Sequence, residues 1–415
     1  MPDDTATARP RRASASVGFC AGALGLLLAL PLAAQPGPRL FDEAAGAIRR
    51  RFYDKSRLGP DWERLVEAAR PRARACATPE ELRELINREI LAPLRASHTV
   101  LLAPDVHRDH YEPELQGKST LRAGLELGRF PDGFFVTAVH DGGPAARAAI
   151  EIGERVLAVN DLPPETSACV ADAGNDPALP GAPRLVLRVE ADRPVELLLQ
   201  ETPGGPTRSV RLWADAVSLV EAVRASARVV ERDGKRLAVV HLWHVMHAGA
   251  VRAMKEALDG PLADADGLVL DLRGRGGQVM AMWGALWAFA PREDGSRGWS
   301  KPAVALIDGS ARSAKEILAW HWKRMGVGPL VGQRTAGAVL GATFVKLSDG
   351  SALQIPVSDV AKLTGGVSLE GVGVEPDVSV PWSIPWCRGR DAILEKGLEV
   401  LAEEIRKGAG GERRY

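Results

Sequence analysis

The sequence predicts an α/β protein with a helical N-terminal region and a β-rich domain inserted ahead of its main sheet. Three observations predict this. From about residue 236 onward, short apolar runs alternate with helical patterns, the signature of strands joined by crossover helices. Between about 118 and 213, short β-like runs are broken by Gly and Pro. Ahead of both, residues from about 39 to 104 read as amphipathic helices. The length of 415 residues fits two to three domains, and 46% apolar with 26% charged residues supplies a sizeable core. Lys+Arg and Asp+Glu both number 53, a balance that argues against a nucleic-acid binder. Only one long apolar run is present, which argues against a protein that crosses a membrane many times.

Arg9, Arg11 and Arg12 precede an apolar stretch from Val17 to Ala34. A basic head, an apolar centre and the small residues Ala33 and Ala34 read as a secretory signal over residues 1–34. The expected destination is the periplasm or the exterior. Leu32 stands where a small residue is preferred before cleavage, so an uncleaved anchor is the alternative. Membrane contact is expected only through this segment. Cys20 lies in it, which leaves Cys76, Cys169 and Cys387 for one disulfide of undetermined pairing. No Cys or His spacing points to zinc, and no cofactor is expected.

In the helical region, residues 39–117, Leu40-Phe41-Asp42-Glu43 opens one amphipathic pattern. Thr78-Pro79-Glu80-Glu81 opens another, with an N-cap, Pro at the first position and acids in the first turn. Residues 118–213 contain Gly124-Leu125-Glu126-Leu127-Gly128, the run Gly133 to Val139, the small-residue helix Gly143 to Ile150 and the strand Arg155 to Asn160. This order resembles a PDZ domain. That resemblance implies binding of a peptide C-terminus as an added strand. Residues 214–390 carry the alternating core: strands near 236–241, 267–272, 302–307 and 328–331, with helices near 248–258, 280–289 and 313–325. Residues 391–415 read as an amphipathic helix and a loose tail.

Two segments carry the chemistry. Asp271-Leu272-Arg273-Gly274-Arg275-Gly276-Gly277 joins a strand to a helix and presents backbone N–H groups. It lacks the Gly-Lys-Ser/Thr of a P-loop, and Val279 stands where a dinucleotide motif needs its third Gly. Asp308 to Ala319 contains Ser313-Ala314-Lys315-Glu316, which alone is a capping box. A helix start is also a sound place for a nucleophilic Ser, with N–H groups at hand for an oxyanion.

These segments stand in order with Val331-Gly332-Gln333-Arg334-Thr335, Leu347-Ser348-Asp349-Gly350-Ser351 and Glu370-Gly371-Val372-Gly373-Val374-Glu375-Pro376-Asp377. The series, over roughly residues 78 to 380, resembles the C-terminal processing, or tail-specific, serine proteases of family S41. The resemblance implies a ClpP/crotonase-like catalytic core, Ser313 as nucleophile, and an oxyanion hole from the N–H groups of Gly276 and Ala314. It also shows a departure. Aligning Gly332 and Thr335 puts Ala338 where those proteases carry the Lys that serves as base. Lys315 falls on another helix face, Lys323 lies roughly 15 Å along the axis, and Lys346 is left as a remote candidate.

A Ser hydroxyl is a weak nucleophile without a base. Ser97-His98-Thr99 resembles the tricorn-like branch of the same family, where a Ser-His pair supplies a His base and a late Glu orients it. The resemblance implies His98 as base, Glu370 as orienter and Ser97 as a helper. Glu375, Asp359 and Asp377 are alternative orienters. His244 and His247 sit three apart but lack a third metal ligand. The expected function is an exported serine endopeptidase acting on protein or peptide substrates, with free C-termini as one route of selection through the PDZ-like domain. The alternative is an inactive scaffold of the same fold that lost the family Lys.

Overall fold

The computed structural model describes residues 37–174, 184–290 and 298–409. The signal-like segment 1–34 with Cys20, and the tail past 409, lie outside the described residues. Helices α1 (Gly37–Arg51), α2 (Pro60–Ala75) and α3 (Pro79–Ile86) come first. Thr78 caps α3 by accepting from the Glu81 N–H at 3.2 Å, as the Thr-Pro-Glu-Glu pattern predicts. Phe41, Ile48, Trp62, Val66, Leu82 and Ile86 bury their side chains together with Leu340, Leu353 and Ile355 from far along the chain. The N-terminal helices are thus the packing surface for a distant hairpin. Strand β1 (Val100–Leu102) follows, and then the short helix α4 (Glu112–Gln116).

The inserted β-rich segment opens with β2 (Thr120–Arg122), β3 (Leu125–Phe130) and β4 (Gly133–Val139). Helix α5 (Pro144–Arg147) and strands β5 (Arg155–Val159), β6 (Val170–Asp172), β7 (Arg184–Leu187), β8 (Val195–Gln200) and β9 (Thr207–Leu212) come next. Strand β10 (Asp215–Val217) returns to pair antiparallel with β2, closing the segment at its stem. The sheet order is β6-β7-β3-β4-β5-β8-β9 among the described residues. Strand β3 therefore has neighbours on both sides, and the edges are β9 and the three-residue β6. A peptide expected to add beside this sheet finds no open edge at β3.

The main sheet is built from β11 (Arg228–Arg232), β12 (Lys235–His241), β13 (Gly267–Asp271), β14 (Ala303–Ile307) and β15 (Leu330–Gly332), with β18 (Val378–Ser379) at its far edge. Strands β12 to β15 and β18 are parallel, and β11 is antiparallel to β12. Every residue of β13 and β14 is buried, as strands covered on both faces require. Helices α6 (Leu219–Ser226), α7 (Ala248–Asp259), α8 (Val279–Leu286) and α9 (Ala314–Arg324) cover one face, and α10 (Ala392–Ala409) covers the other. Strands β16 (Leu340–Lys346) and β17 (Ala352–Asp359) form a hairpin outside this sheet, and β1 pairs with β17 through Val100 and Gln354. The order β1-β17-β16 leaves β16 as an edge.

A buried ionic knot ties the insert to the main sheet. Arg275, from the loop after β13, pairs with Glu114 of α4 and Glu126 of β3. Glu126 also takes both arms of Arg184 at 2.7 and 3.0 Å, and Glu114 takes Arg122 at 3.0 Å. Buried pairs of this kind are dangerous to break, because the remaining charge stays desolvated. Arg275→Met is expected to lower unfolding free energy by about 3–5 kcal/mol. Urea unfolding measures it, and a loss below about 1 kcal/mol would show the knot to be solvated.

Candidate active site

The site grows from two turns at the carboxyl ends of β13 and β14, where an open parallel sheet leaves a crevice. After β14 the chain turns through Asp308 to Arg312 and enters α9 at Ala314. Ser313, the residue before the helix, has φ +58° and ψ −127°. That conformation is rare for a residue with a Cβ and costs about 1–3 kcal/mol. It persists only where the surroundings enforce it. Here they do: the Ser313 N–H donates to the Ala338 carbonyl at 2.9 Å and to Glu316 Oε2 at 3.0 Å. The Glu316 N–H bonds the Ser313 carbonyl at 2.9 Å, and Ser313 and Glu316 close the capping box that starts the helix.

Glu316 does more than close a cap. Its side chain is fully buried and also accepts from the Thr335 hydroxyl at 2.6 Å, the Gly337 N–H at 2.7 Å and the Ala338 N–H at 2.8 Å. Burial pushes its pKa up, and these hydrogen bonds oppose the shift by favouring the carboxylate. One carboxylate thereby fixes the Ser313 turn against residues 335–338.

The Gly-rich loop lies directly against this turn. A Cβ on Gly276 would sit 2.9 Å from the Ser313 Cβ and 2.9 Å from the Arg312 carbonyl oxygen, so only glycine allows the approach. The N–H groups of Gly276 and Ala314 have no acceptor among the described residues. Asp271 and Asp391 clamp Arg273 from two sides, with Asp391 contacts at 2.9 and 2.6 Å. Asp271 also accepts the Arg273 N–H at 2.9 Å, so its role is to hold the loop.

His98 arrives from the N-terminal region because β1 pairs with β17, which sets the preceding Ser97-His98 beside the turn at Val339. Its φ is +57° and its side chain is buried. Ser97 Oγ lies 2.8 Å from His98 Nδ1 and donates to Glu370 Oε2 at 2.9 Å. Glu370 also accepts the Ser97 N–H at 2.8 Å and the Val339 N–H at 2.7 Å. Because the Ser97 proton is committed to Glu370, its oxygen accepts from Nδ1–H, which leaves the Nε2 lone pair as the basic site. Burial, reinforced by the positive charge of Arg312, holds the His98 pKa well below its usual value.

His98, Gly276, Ser313 and Ala314 line one cleft of about 1210 Å³, shared with Val339, Leu340 and Phe344 of the β16 edge and with Phe130 and Thr137 of the insert. The structure thus brings Ser97, His98 and Glu370 into contact, and Gly276 against Ser313. Glu370 reaches the ring through Ser97, a refinement of the direct pairing expected from sequence. The other candidate orienters are engaged elsewhere: Glu375 with Arg334, Asp377 with Lys323, and Asp359 with the Ala361 N–H. Ala338 is fully buried. His244 and His247 accept from the N–H groups of Met246 and Gly249, and no group of metal-binding side chains occurs among the described residues. Cys76, Cys169 and Cys387 are free thiols. No described helix is long and apolar enough to cross a membrane.

Ser313 in a strained turn, a glycine-backed loop and a buried imidazole thus line one cleft. Residues 236–380 match the model for peptidase family S41, and residues 38–90 match the tricorn protease C1 domain. Over residues 236–380 the chain is therefore similar to peptidase family S41. It is 28% identical over 390 residues to tricorn protease homolog 1 of Streptomyces coelicolor, covering 87% of this chain and 35% of that protein. It is 28% identical over 375 residues to the chloroplastic C-terminal processing peptidase of Tetradesmus obliquus, covering 82% and 76%. The chain spans about a third of the length of the Streptomyces tricorn relatives it matches. In fold it is similar to the crystal structure of tricorn protease, with a TM-score of 0.51 at 19% identity over 88% of this chain and 36% of that one. Mature CPAF gives a TM-score of 0.51 at 12% identity, over 89% and 98%.

In the sequence, Glu316 reads only as the partner of a capping box. The missing signal was the Thr335 to Ala338 segment, which supplies three of its donors. Glu316→Gln keeps the volume but turns one acceptor into a donor facing N–H groups. It is expected to cost about 2–4 kcal/mol in urea unfolding. A change below about 0.5 kcal/mol would show that the carboxylate is not needed to hold the turn.

Proposed function

We propose that this chain is an exported serine endopeptidase with a ClpP/crotonase-like core, in which Ser313 attacks a peptide carbonyl and His98 takes its proton. The observation that carries this reading is the Glu370–Ser97–His98 relay, which holds the imidazole in the cleft that Ser313 also lines. Proton transfer to Nε2 makes the hydroxyl a nucleophile. The resulting imidazolium donates Nδ1–H to Ser97, which Glu370 polarises. Negative charge develops on the substrate oxygen, and the N–H groups of Gly276 and Ala314 receive it. His98 then returns the proton to the leaving amine, and water opens the acyl-enzyme by the reverse sequence.

The substrate is a protein or peptide chain in extended form. Strand β16 supports this, since it is the free edge of its sheet and its first residues line the cleft beside Val339. The PDZ-like insert selects or gates substrates as the facing wall of the cleft, through Phe130, Thr137 and Val139, and not by strand addition at β3. The Arg-flanked apolar segment at residues 17–34 supports export to the periplasm or beyond. A second reading, an inactive scaffold, is favoured by one observation: Ala338 stands where the family Lys is expected.

A fluorophosphonate probe separates the two. Wild-type protein is expected to label, Ser313→Ala not at all, and His98→Ala about 10³-fold more slowly. Unlabelled wild type would support the scaffold, and undiminished labelling of His98→Ala would transfer the base to another group. The direction of the His98 shift sets the pH profile. Its neutral form is the base, so kcat/KM on a peptide substrate is expected not to fall as the pH is lowered from 8 to 6.5, and to show an acid limb only in more acid solution. A decline on acidification centred between pH 6.5 and 8 would contradict a desolvated His98 as base.

A further inference from the structure

We infer that Lys315 is the positioning residue of the oxyanion hole: its ammonium ties the loop bearing the Gly276 N–H to the helix bearing the Ala314 N–H. The inference rests on the serine-peptidase reading above. Lys315 is fully buried, two residues past Ser313 on α9. Its Nζ donates to the Arg273 carbonyl at 2.8 Å and to the Trp243 carbonyl at 3.1 Å. Both carbonyls belong to segments that hold Gly276. Arg273 precedes it in the Gly-rich loop, and just past Trp243 the Val245 N–H donates to the Gly276 carbonyl at 3.1 Å. The Val245 carbonyl in turn accepts the Gln278 N–H at 2.8 Å. One side chain rooted beside Ala314 thus reaches both strands of backbone around the other donor.

Packing alone does not explain a lysine here. An apolar side chain of similar volume would fill the space without desolvating a charge. What only an ammonium supplies is donors to two carbonyls at once, tying a loop whose glycines otherwise leave it conformationally free to the segment after β12. An oxyanion hole works when its donors are fixed before charge develops, so loosening this tie should weaken transition-state binding and leave ground-state binding intact. Lys315 is not the missing base, because its nitrogen is turned to the loop carbonyls.

The test compares a peptide aldehyde, which forms a tetrahedral adduct on Ser313, with the matching peptide alcohol, which does not. Fluorophosphonate labelling of the wild type serves as the separate check on the peptidase reading. In Lys315→Met the aldehyde is expected to bind about 30- to 100-fold more weakly and the alcohol within twofold of wild type, with kcat lowered and KM within twofold. A purely structural role would weaken both ligands alike. An aldehyde-to-alcohol affinity ratio within threefold of wild type, in a folded variant, overturns the inference while wild-type labelling leaves the peptidase reading intact.

If Lys315→Met does not fold, the wild type decides. Burial lowers the Lys315 pKa to about 7, opposed by Asp271 and Asp308 and assisted by Arg273. The imidazoles that also face it, His241 and His244, have pKa values lowered by burial and are neutral above pH 7. The affinity ratio is then expected to fall at least fivefold between pH 6 and 9 as the ammonium discharges. A ratio flat across that range overturns the inference. A wild type that neither labels nor binds the aldehyde overturns the peptidase reading, and the inference with it.

Discussion

A single buried carboxylate holds the site in register. Glu316 accepts from Ser313, Thr335, Gly337 and Ala338, and so joins the turn before α9 to the strand exit after β15. The next residue, Val339, donates to Glu370, and Glu370 holds Ser97, which holds His98. A continuous hydrogen-bonded path therefore runs from Ser313 to an imidazole 215 positions earlier in the sequence. A carboxylate with four donors can remain ionised in the interior despite its desolvation, and that is why such a hub is stable. The unfavourable backbone of Ser313 is sustained by the same contacts.

The path explains why a substituted Ala338 does not empty the site. The position expected for a lysine serves here through its backbone, whose N–H feeds Glu316 and whose carbonyl receives Ser313. The N-terminal helices then acquire a reason to exist beyond their own stability. They pack against the β16–β17 hairpin, and β1 binds β17, so the same apolar cluster that buries Phe41 and Trp62 also sets where Ser97 and His98 lie.

What was legible in the sequence follows from how each signal is encoded. Strands β13 and β14 read clearly because they are uninterrupted apolar runs, and α3 because Thr78 and Pro79 mark its start. The hairpin β16–β17 did not read, because β16 is mostly half-exposed and β17 carries Pro356 at a shift of register. Pairing of β7 with β3 was hidden for a different reason. Register between strands far apart in sequence leaves no local trace, so the closed flank of the insert emerged only from the fold. Ser97 and His98 were legible through resemblance alone, since a lone imidazole has no periodicity. Lys315 read only as a lysine on another helix face from Ser313, and its burial depends on a loop more than forty positions away.

In the proposed mechanism Ser313, the two N–H donors and the His98 relay face one reacting carbon. The most direct test is a crystal structure of the protein after reaction with a peptidyl fluorophosphonate. The account predicts phosphorus bonded to Ser313 Oγ, with the phosphoryl oxygen about 2.7–3.1 Å from the N–H groups of both Gly276 and Ala314, and with His98 Nε2 within hydrogen-bonding reach of Oγ. An adduct on a different residue, or a phosphoryl oxygen turned away from those donors with His98 facing elsewhere, would contradict it.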